Sequence, residues 1–301
     1  MENFIIILSL IVLGFVLKRT GKFPDNSAHV LNLYVIYVSL PALVLVNVPN
    51  LVFSFDLIVT AIIPWVMLLV SVLIILYFAR MFHWDRETIG ALLLIVPLGN
   101  TSFLGIPLVE AFYGADAVGY AVMYDQFGSF FALSIYGSMV LAMFAKDSKP
   151  VSFSTVSHKI ITFPPFISLL VALLLYKVSL PPMYFEVLSP IAKTLIPVVM
   201  VAVGFQLELG IEFHKIKSFI VGLSVKMIIA PLVAFLIFMG LGLDGEIYRV
   251  TVFEAAMPPM ISAGALAIMA NLSPRLTAAM VAYGILLSFI TLPMWYWLMN
   301  G

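Results

Sequence analysis

The chain has 301 residues and a formal net charge of zero, with 63% hydrophobic and only 10% charged residues. This composition excludes an ordinary soluble domain and indicates a helical membrane protein that crosses the bilayer many times. A zero net charge gives no general attraction to nucleic acid, and the absence of cysteine excludes disulfides, thiolate metal sites and a cysteine nucleophile.

Ten segments are apolar enough to cross a bilayer, which takes about 20 residues. In chain order the predicted spans are 3–18, 30–47, 56–80, 88–112, 117–144, 160–177, 186–208, 216–241, 246–270 and 275–298. Five spans fall in residues 1–144 and five in residues 160–301, and residues 145–159 form a predicted cytoplasmic linker between them. We therefore predict an all-α polytopic membrane protein built from two five-helix repeats.

Positive charges are concentrated in alternate loops. One side of the predicted topology carries eleven of the 15 lysines and arginines, namely Lys18, Arg19, Lys22, Arg80, Arg86, Lys146, Lys149, Lys159, Lys215, Lys217 and Arg275. The other side carries only Lys177 and Arg249. Because cytoplasmic loops are enriched in lysine and arginine, we predict a plasma-membrane protein with both termini outside.

Proline positions recur between the two halves at a spacing of 156 to 161 residues. The matched pairs are Pro24 with Pro181, Pro41 with Pro197, and Pro97 with Pro258. Since each half has an odd number of spans, the second enters the membrane in the opposite sense. The pattern predicts an inverted repeat, with broken crossover helices in spans 4 and 9.

The fourth span is broken between Val96 and Pro107, and the ninth between Ala255 and Gly264. Proline frees a backbone carbonyl, and non-helical backbone at membrane depth is tolerated only inside protein or beside a water-filled cavity. Matched breaks are a sequence indication of a transporter binding site, although two structural kinks are the alternative. The candidate substrate-binding residues are Pro97, Asn100, Thr101, Ser102, Gly105, Pro258, Pro259 and Ser262.

Four ionisable residues lie within predicted spans: Asp125, Lys193, Lys226 and Glu254. A charge at the bilayer centre costs about 2.5–3.5 kcal/mol on the insertion scale, so each needs a partner, a cavity or neutralisation. We select Asp125, Gln126, Glu254 and Lys226 as candidates for ion coupling. A static Lys226–Glu254 ion pair and a purely structural Asp125 are the alternatives.

No motif indicates an enzyme. All four histidines fall in or beside predicted cytoplasmic loops, and the sequence has no H-E-x-x-H, G-x-S-x-G or phosphate-binding glycine-rich motif. We expect no catalytic residue, cofactor or metal. A channel stays open as an alternative to a carrier, and saturable flux with counterflow would distinguish them.

The segment from Gly99 to Pro107 resembles the fourth-span motif of the auxin efflux carrier family, whose bacterial members include malate and malonate permeases. The segments Tyr124–Ser129 and Ala255–Pro259 are similar to the family's fifth and ninth spans. Ile196-Pro197, with Gly204 and Leu207, resembles its seventh.

The resemblance implies the ten-span crossover fold shared with bile acid–sodium symporters and some sodium–proton antiporters. Spans 1, 2, 6 and 7 would form a scaffold, and spans 3–5 and 8–10 a transport domain. The implied function is secondary transport of a small organic anion by alternating access. Proton coupling, sodium coupling or uniport, an antiporter with another substrate, and a homodimer all stay open.

Overall fold

A computed structural model describes residues 2–51, 55–145, 153–176, 178–207, 210 and 213–300. Over these residues the secondary structure is helical, apart from one isolated pair of extended residues. The predicted all-α class is confirmed. Part of the predicted 145–159 linker lies outside the described residues, including Lys146 and Lys149. Lys177 also lies outside them.

Seventeen α-helices are described. In the first half of the chain they are α1 (Glu2–Arg19), α2 (Ser27–Tyr34), α3 (Leu40–Asn47), α4 (Phe55–Phe82), α5 (Arg86–Ile95), α6 (Ile106–Tyr113), α7 (Val118–Tyr124) and α8 (Ser138–Phe144). In the second half they are α9 (Phe153–Ile161), α10 (Pro164–Leu174), α11 (Pro182–Lys193), α12 (Leu195–Gln206), α13 (Ile216–Ser224), α14 (Ala230–Leu241), α15 (Glu246–Ala255), α16 (Ile261–Met269) and α17 (Pro274–Asn300).

Several of these helices are joined end to end by short π-helical segments. These segments are Val35–Ser39, Thr101–Gly105, Asp125–Phe130, Leu133–Gly137 and Val225–Ile229. Three of them contain predicted site residues, which are Thr101, Ser102, Gly105, Asp125, Gln126 and Lys226. Because π-helical turns in proteins are frequently found at functional sites, this coincidence directs attention to the same residues.

Six continuous helical stretches of the described chain are long and apolar enough to cross a membrane. They are Ser27–Asn47, Leu57–Phe82, Ala115–Phe144, Pro182–Gln206, Ile216–Leu241 and Pro274–Asn300. They coincide with six of the ten predicted spans, so the multi-pass assignment is confirmed in this part.

The other four predicted spans correspond to α1, to α10 and to the broken pairs α5–α6 and α15–α16. Helix α10 is bent by 63° from the preceding Ser154–Ile161 stretch. The ten-span inverted repeat therefore stays a prediction.

The chain divides into two compact units. The first comprises Met1–Ser54, Ser102–Val122 and His158–Leu207, and the second comprises Phe55–Thr101, Met123–Ser157 and Glu208–Gly301. The first unit contains predicted spans 1, 2, 6 and 7 together with residues 102–122 of the fourth and fifth. The assignment of scaffold and transport domains stays a prediction.

In the first unit, α1 lies directly against α12. A Cβ atom added to Gly204 would meet the Ile11 carbonyl oxygen at 2.1 Å, so only glycine permits this approach. On another side of the unit, α10 and α11 pack against α3, and the Tyr184 hydroxyl donates a hydrogen bond to the Leu45 carbonyl at 2.9 Å.

The second unit has an apolar core that includes Ile75, Leu92, Leu94 and Met280, all buried. Two tryptophan side chains of this unit donate hydrogen bonds to backbone carbonyls of π-helical segments. Trp65 Nε1 donates to the Phe127 carbonyl at 2.9 Å, and Trp295 Nε1 donates to the Met227 carbonyl at 3.0 Å. Both carbonyls belong to segments that carry predicted site residues.

Asp85 caps the N-terminus of α5. Its carboxylate accepts hydrogen bonds from the Thr88 amide and the Thr88 hydroxyl, each at 2.8 Å, and lies 3.5 Å from Lys215 Nζ. Lys215 also donates to the Ser273 hydroxyl at 2.7 Å. Burial by itself would raise the pKa of Asp85, but the Thr88 hydrogen bonds and the Lys215 charge together hold it below its ordinary 3.8.

We expect Asp85→Ala to lower the free energy of unfolding by about 1 kcal/mol at neutral pH, since it removes a helix N-cap. Because the folded-state pKa is depressed, this contribution is complete above the ordinary value of 3.8 and is lost as pH falls through the lower folded-state value. Thermal unfolding in detergent at several pH values measures the difference. Asp25→Ala, at an exposed position, is the control, and an equal loss in both variants would contradict the assignment.

Candidate functional site

Residues 96–100 and 256–260 interrupt two helices and pair with each other. The Asn100 amide donates to the Pro258 carbonyl at 2.8 Å, and the Met260 amide donates to the Leu98 carbonyl at 2.9 Å. Gly99 and Pro259 thereby form an antiparallel bridge. We call residues 96–100 and 256–260 the paired break; all of them are buried and belong to the second unit.

The prolines explain why the backbone of the paired break needs hydrogen-bond partners from outside its own helix. Pro258 and Pro259 have no N–H, so α15 ends at Ala255 and α16 begins only at Ile261. Carbonyls released in this way cannot be hydrated by lipid. The opposite break supplies the missing hydrogen bonds, and each interrupted helix therefore stabilises the other.

Lys226 reaches this backbone from the π-helical segment Val225–Ile229. Its ammonium donates to the Ala255 carbonyl at 3.1 Å, at the C-terminal end of α15. A Cβ atom at Gly99 would lie only 2.9 Å from Lys226 Nζ, so a larger residue there would displace the ammonium from its present position. A cation at a helix C-terminus is favoured by the helix dipole, and here it is 3% exposed.

Asn100 and Thr101 follow the first half of the paired break. Asn100 is 2% exposed, and its side-chain nitrogen has no hydrogen-bond partner within the described residues. The Thr101 hydroxyl donates to Asp125 Oδ1 at 2.6 Å. One side chain is therefore committed to a protein carboxylate, and the other still has donors for a solute.

Asp125 begins the π-helical segment Asp125–Phe130 and is completely buried. Its second oxygen, Oδ2, accepts a hydrogen bond from Gln126 Nε2 at 2.8 Å. The side-chain amide oxygen of Gln126, in contrast, is buried and accepts no hydrogen bond from the described residues. A cation or a proton donor at this position would satisfy it.

Glu254 is the last residue but one of α15 and is also completely buried. Neither of its carboxylate oxygens has a hydrogen-bond partner in the described part of the chain. Its charge interacts with those of Lys226 and Asp125, yet the Lys226 ammonium is directed to the Ala255 carbonyl. Within the described residues, the Lys226–Glu254 ion pair considered from the sequence is not formed.

The other predicted binding residues differ in their exposure. Pro97 and Gly105 are buried, while Ser102 and Ser262 are partly exposed. Gly105 and Ser102 belong to the first unit. The second unit thus contains most of the predicted site residues, namely Pro97, Asn100, Thr101, Asp125, Gln126, Lys226, Glu254, Pro258, Pro259 and Ser262.

Sequence reasoning missed two contributors to this site. The Ala255 carbonyl holds the Lys226 ammonium, and Gly284 of α17 allows close packing on Pro259, because an added Cβ atom would lie 2.7 Å from its Cδ. The carbonyl could have been anticipated from the proline that follows it. Gly284 carries no local signal, since glycine is common in membrane helices.

Chemically, this site combines a fixed ammonium, free amide donors and two carboxylates in a buried environment. Among the described residues, no group of three or more His, Asp or Glu side chains could hold a metal ion. The arrangement offers donors for an anion and acceptors for a small cation.

Comparison with known proteins assigns the chain to a family. Residues 1–296 match the family described as membrane transport protein. An uncharacterized transporter of Methanocaldococcus jannaschii is 24% identical over 309 residues, covering 99% of this chain and 98% of that protein. An uncharacterized transporter of Methanothermobacter thermautotrophicus is 25% identical over 297 residues, covering 98% and 96%. The chain therefore belongs to the auxin efflux carrier-like family of membrane transport proteins, in agreement with the resemblance of its fourth-span motif.

Proposed function

We propose that this transporter is a secondary carrier that moves a small organic anion across the plasma membrane, with the paired break as its substrate site. The observation that carries the proposal is the antiparallel pairing of Gly99 with Pro259 beside the side-chain nitrogen of Asn100, which has no hydrogen-bond partner among the described residues. In this interpretation the ten predicted spans form two inverted repeats, and the paired break is their crossover. The site is exposed alternately to the two sides of the membrane.

An anion is favoured by the donors at the paired break. Helix α16 begins at Ile261, and the backbone N–H groups of its first turn have no acceptor within the helix. The positive end of the helix dipole at this N-terminus also attracts negative charge. The Asn100 amide nitrogen and the partly exposed Ser262 hydroxyl supply further donors. A small carboxylate fits this donor set better than a neutral or cationic solute does.

Lys226 supports this assignment through charge. Its ammonium lies at the C-terminal end of α15, where the helix dipole is negative, and it occupies the space beside Gly99 of the paired break. A buried positive charge at this point lowers the cost of bringing an anion into an apolar environment. In this proposal Lys226 is a fixed countercharge.

Coupling to an ion gradient is assigned to Asp125 and Glu254. An isolated buried carboxylate without a hydrogen bond is costly, and Glu254 has both oxygens unpartnered in the described structure. The side-chain oxygen of Gln126, the residue after Asp125, is a third unpartnered acceptor among the described residues. A proton on a carboxylate or a sodium ion among these oxygens would supply the missing charge.

Orientation can be tested directly because the chain has no cysteine. Asp116 and Ser154 both have exposed side chains, and they lie on opposite sides of the predicted topology. We expect an Asp116→Cys variant to react with a membrane-impermeant maleimide in intact cells, and a Ser154→Cys variant to react only after lysis. Labelling of Ser154→Cys alone in intact cells would invert the proposed topology.

Substrate binding at the paired break is tested by Asn100→Ala. We first identify a substrate by thermal-shift screening against small mono- and dicarboxylates, including malate and malonate, and then measure counterflow in proteoliposomes. Removing a donor to a carboxylate should reduce kcat/KM for transport by about 10- to 100-fold. Saturable counterflow by the wild type also distinguishes a carrier from a channel.

Ser168→Ala is the matched control, because the hydroxyl of this buried residue donates a hydrogen bond within its own helix to the Pro164 carbonyl, outside the paired break. It should leave counterflow unchanged. Pro258→Ala should impair transport, since it allows α15 to extend across the break. Normal transport by both Asn100→Ala and Pro258→Ala, at equal amounts of folded protein, would refute the site.

The coupling role is tested by Asp125→Asn and Glu254→Gln, which remove charge and retain shape. In Asp125→Asn the Thr101 hydrogen bond can persist, and rotation of the Gln126 amide would present its unpartnered oxygen to the new donor. We expect both variants to lose accumulation driven by a pH or sodium gradient and to retain exchange.

Proteoliposomes with a pH gradient alone and with a sodium gradient alone distinguish the two ions. Glu186→Gln, at an exposed position on α11, controls for loss of one negative charge. Full accumulation by both site variants would leave Asp125 and Glu254 with structural roles only.

A further inference from the structure

A separate small cavity lies within the first unit, where α3, α6 and α11 end. Its volume is about 130 Å³, which is enough for several water molecules or a small solute. Its polar lining consists of Asn47, Glu110, Ser189 and Lys193, and its walls are otherwise apolar. None of these residues belongs to the paired break.

The cavity has one negative and one positive side chain. The Glu110 carboxylate and the Lys193 ammonium are close enough for their charges to interact. Within the described residues, however, neither makes a hydrogen bond or an ion pair with any protein group. Glu110 is partly buried, so its charge has lost some of the hydration that an exposed carboxylate would keep.

Two neutral groups supply further hydrogen-bonding capacity. Asn47 Nδ2 donates to the Leu43 carbonyl at 2.9 Å, which leaves the side-chain oxygen as an acceptor. The Ser189 hydroxyl can both donate and accept. The cavity is therefore lined by a partly buried carboxylate and an exposed ammonium that do not contact each other, with polar groups beside them and apolar walls.

We propose that this cavity binds a small zwitterion of the amino-acid class. Its ammonium would contact Glu110 and its carboxylate would contact Lys193. A simple carboxylate or a simple amine would compensate only one of the two charges and would oppose the other at close range, whereas a zwitterion compensates both. The cavity volume limits the ligand to a few carbon atoms.

This site does not rest on the function proposed above, because it is built from residues of the first unit and requires no transport. A zwitterion held there could enter the transport cycle or only modulate it. Binding to purified protein tests the proposal by itself.

The experiment measures thermal shift and calorimetric binding with glycine, β-alanine and 4-aminobutyrate, and with propionate and ethylamine as single-charge probes. We expect at least one zwitterion to bind and both single-charge probes to bind at least about tenfold more weakly. Glu110→Gln and Lys193→Gln should each weaken zwitterion binding about tenfold or more. Lys193→Arg, which keeps the charge, should retain binding.

Two further variants make the result specific. Glu186→Gln removes an exposed carboxylate from the same helix as Lys193 and should bind as the wild type does. Asn100→Ala should also keep zwitterion binding if the cavity is the site. Unchanged binding in both Glu110→Gln and Lys193→Gln, loss only in Asn100→Ala, equal binding of propionate, or no binding of any zwitterion would overturn the proposal.

Discussion

The backbone hydrogen bonds between the two broken helices are the interaction on which the rest of this site depends. An N–H or carbonyl group left unpaired in hydrocarbon costs several kcal/mol, and Pro258 and Pro259 leave backbone groups between α15 and α16 without helical partners. The Asn100–Pro258 and Met260–Leu98 hydrogen bonds use one break to complete the other. Without its partner, each interruption would need other groups to complete these hydrogen bonds.

This pairing also explains why polar side chains concentrate at one place in the second unit. The end of α15 presents a carbonyl that holds Lys226, and the residue after Asn100 presents a hydroxyl to Asp125. Once these contacts are made, three side-chain groups still have no hydrogen-bond partner among the described residues: the nitrogen of Asn100, the amide oxygen of Gln126 and the carboxylate of Glu254. Buried polar groups are normally satisfied, and these exceptions are the reason that we propose a solute or an ion at this place.

Much of this site could be predicted because its cause is local. Proline breaks a helix wherever it occurs, so the interruptions at Pro97 and Pro258 follow from residue chemistry, as does the cost of burying Asp125. Partner choice could not be predicted. Asp125 accepts from Thr101, which is 24 residues away, and Lys226 prefers a backbone carbonyl to the carboxylate of Glu254. The hydropathy of a sequence does not indicate which hydrogen-bond partner a buried polar side chain will choose.

The sequence by itself determined the class of protein, the all-helical secondary structure, six of the spans and the two breaks, because apolar length and proline act within a few residues. Only the tertiary structure decided which atoms meet. It pairs Gly99 with Pro259, and it brings Glu110 and Lys193, which lie 83 residues apart in the sequence, to one cavity. The physical reason is that packing between helices distant in the chain determines side-chain direction and burial.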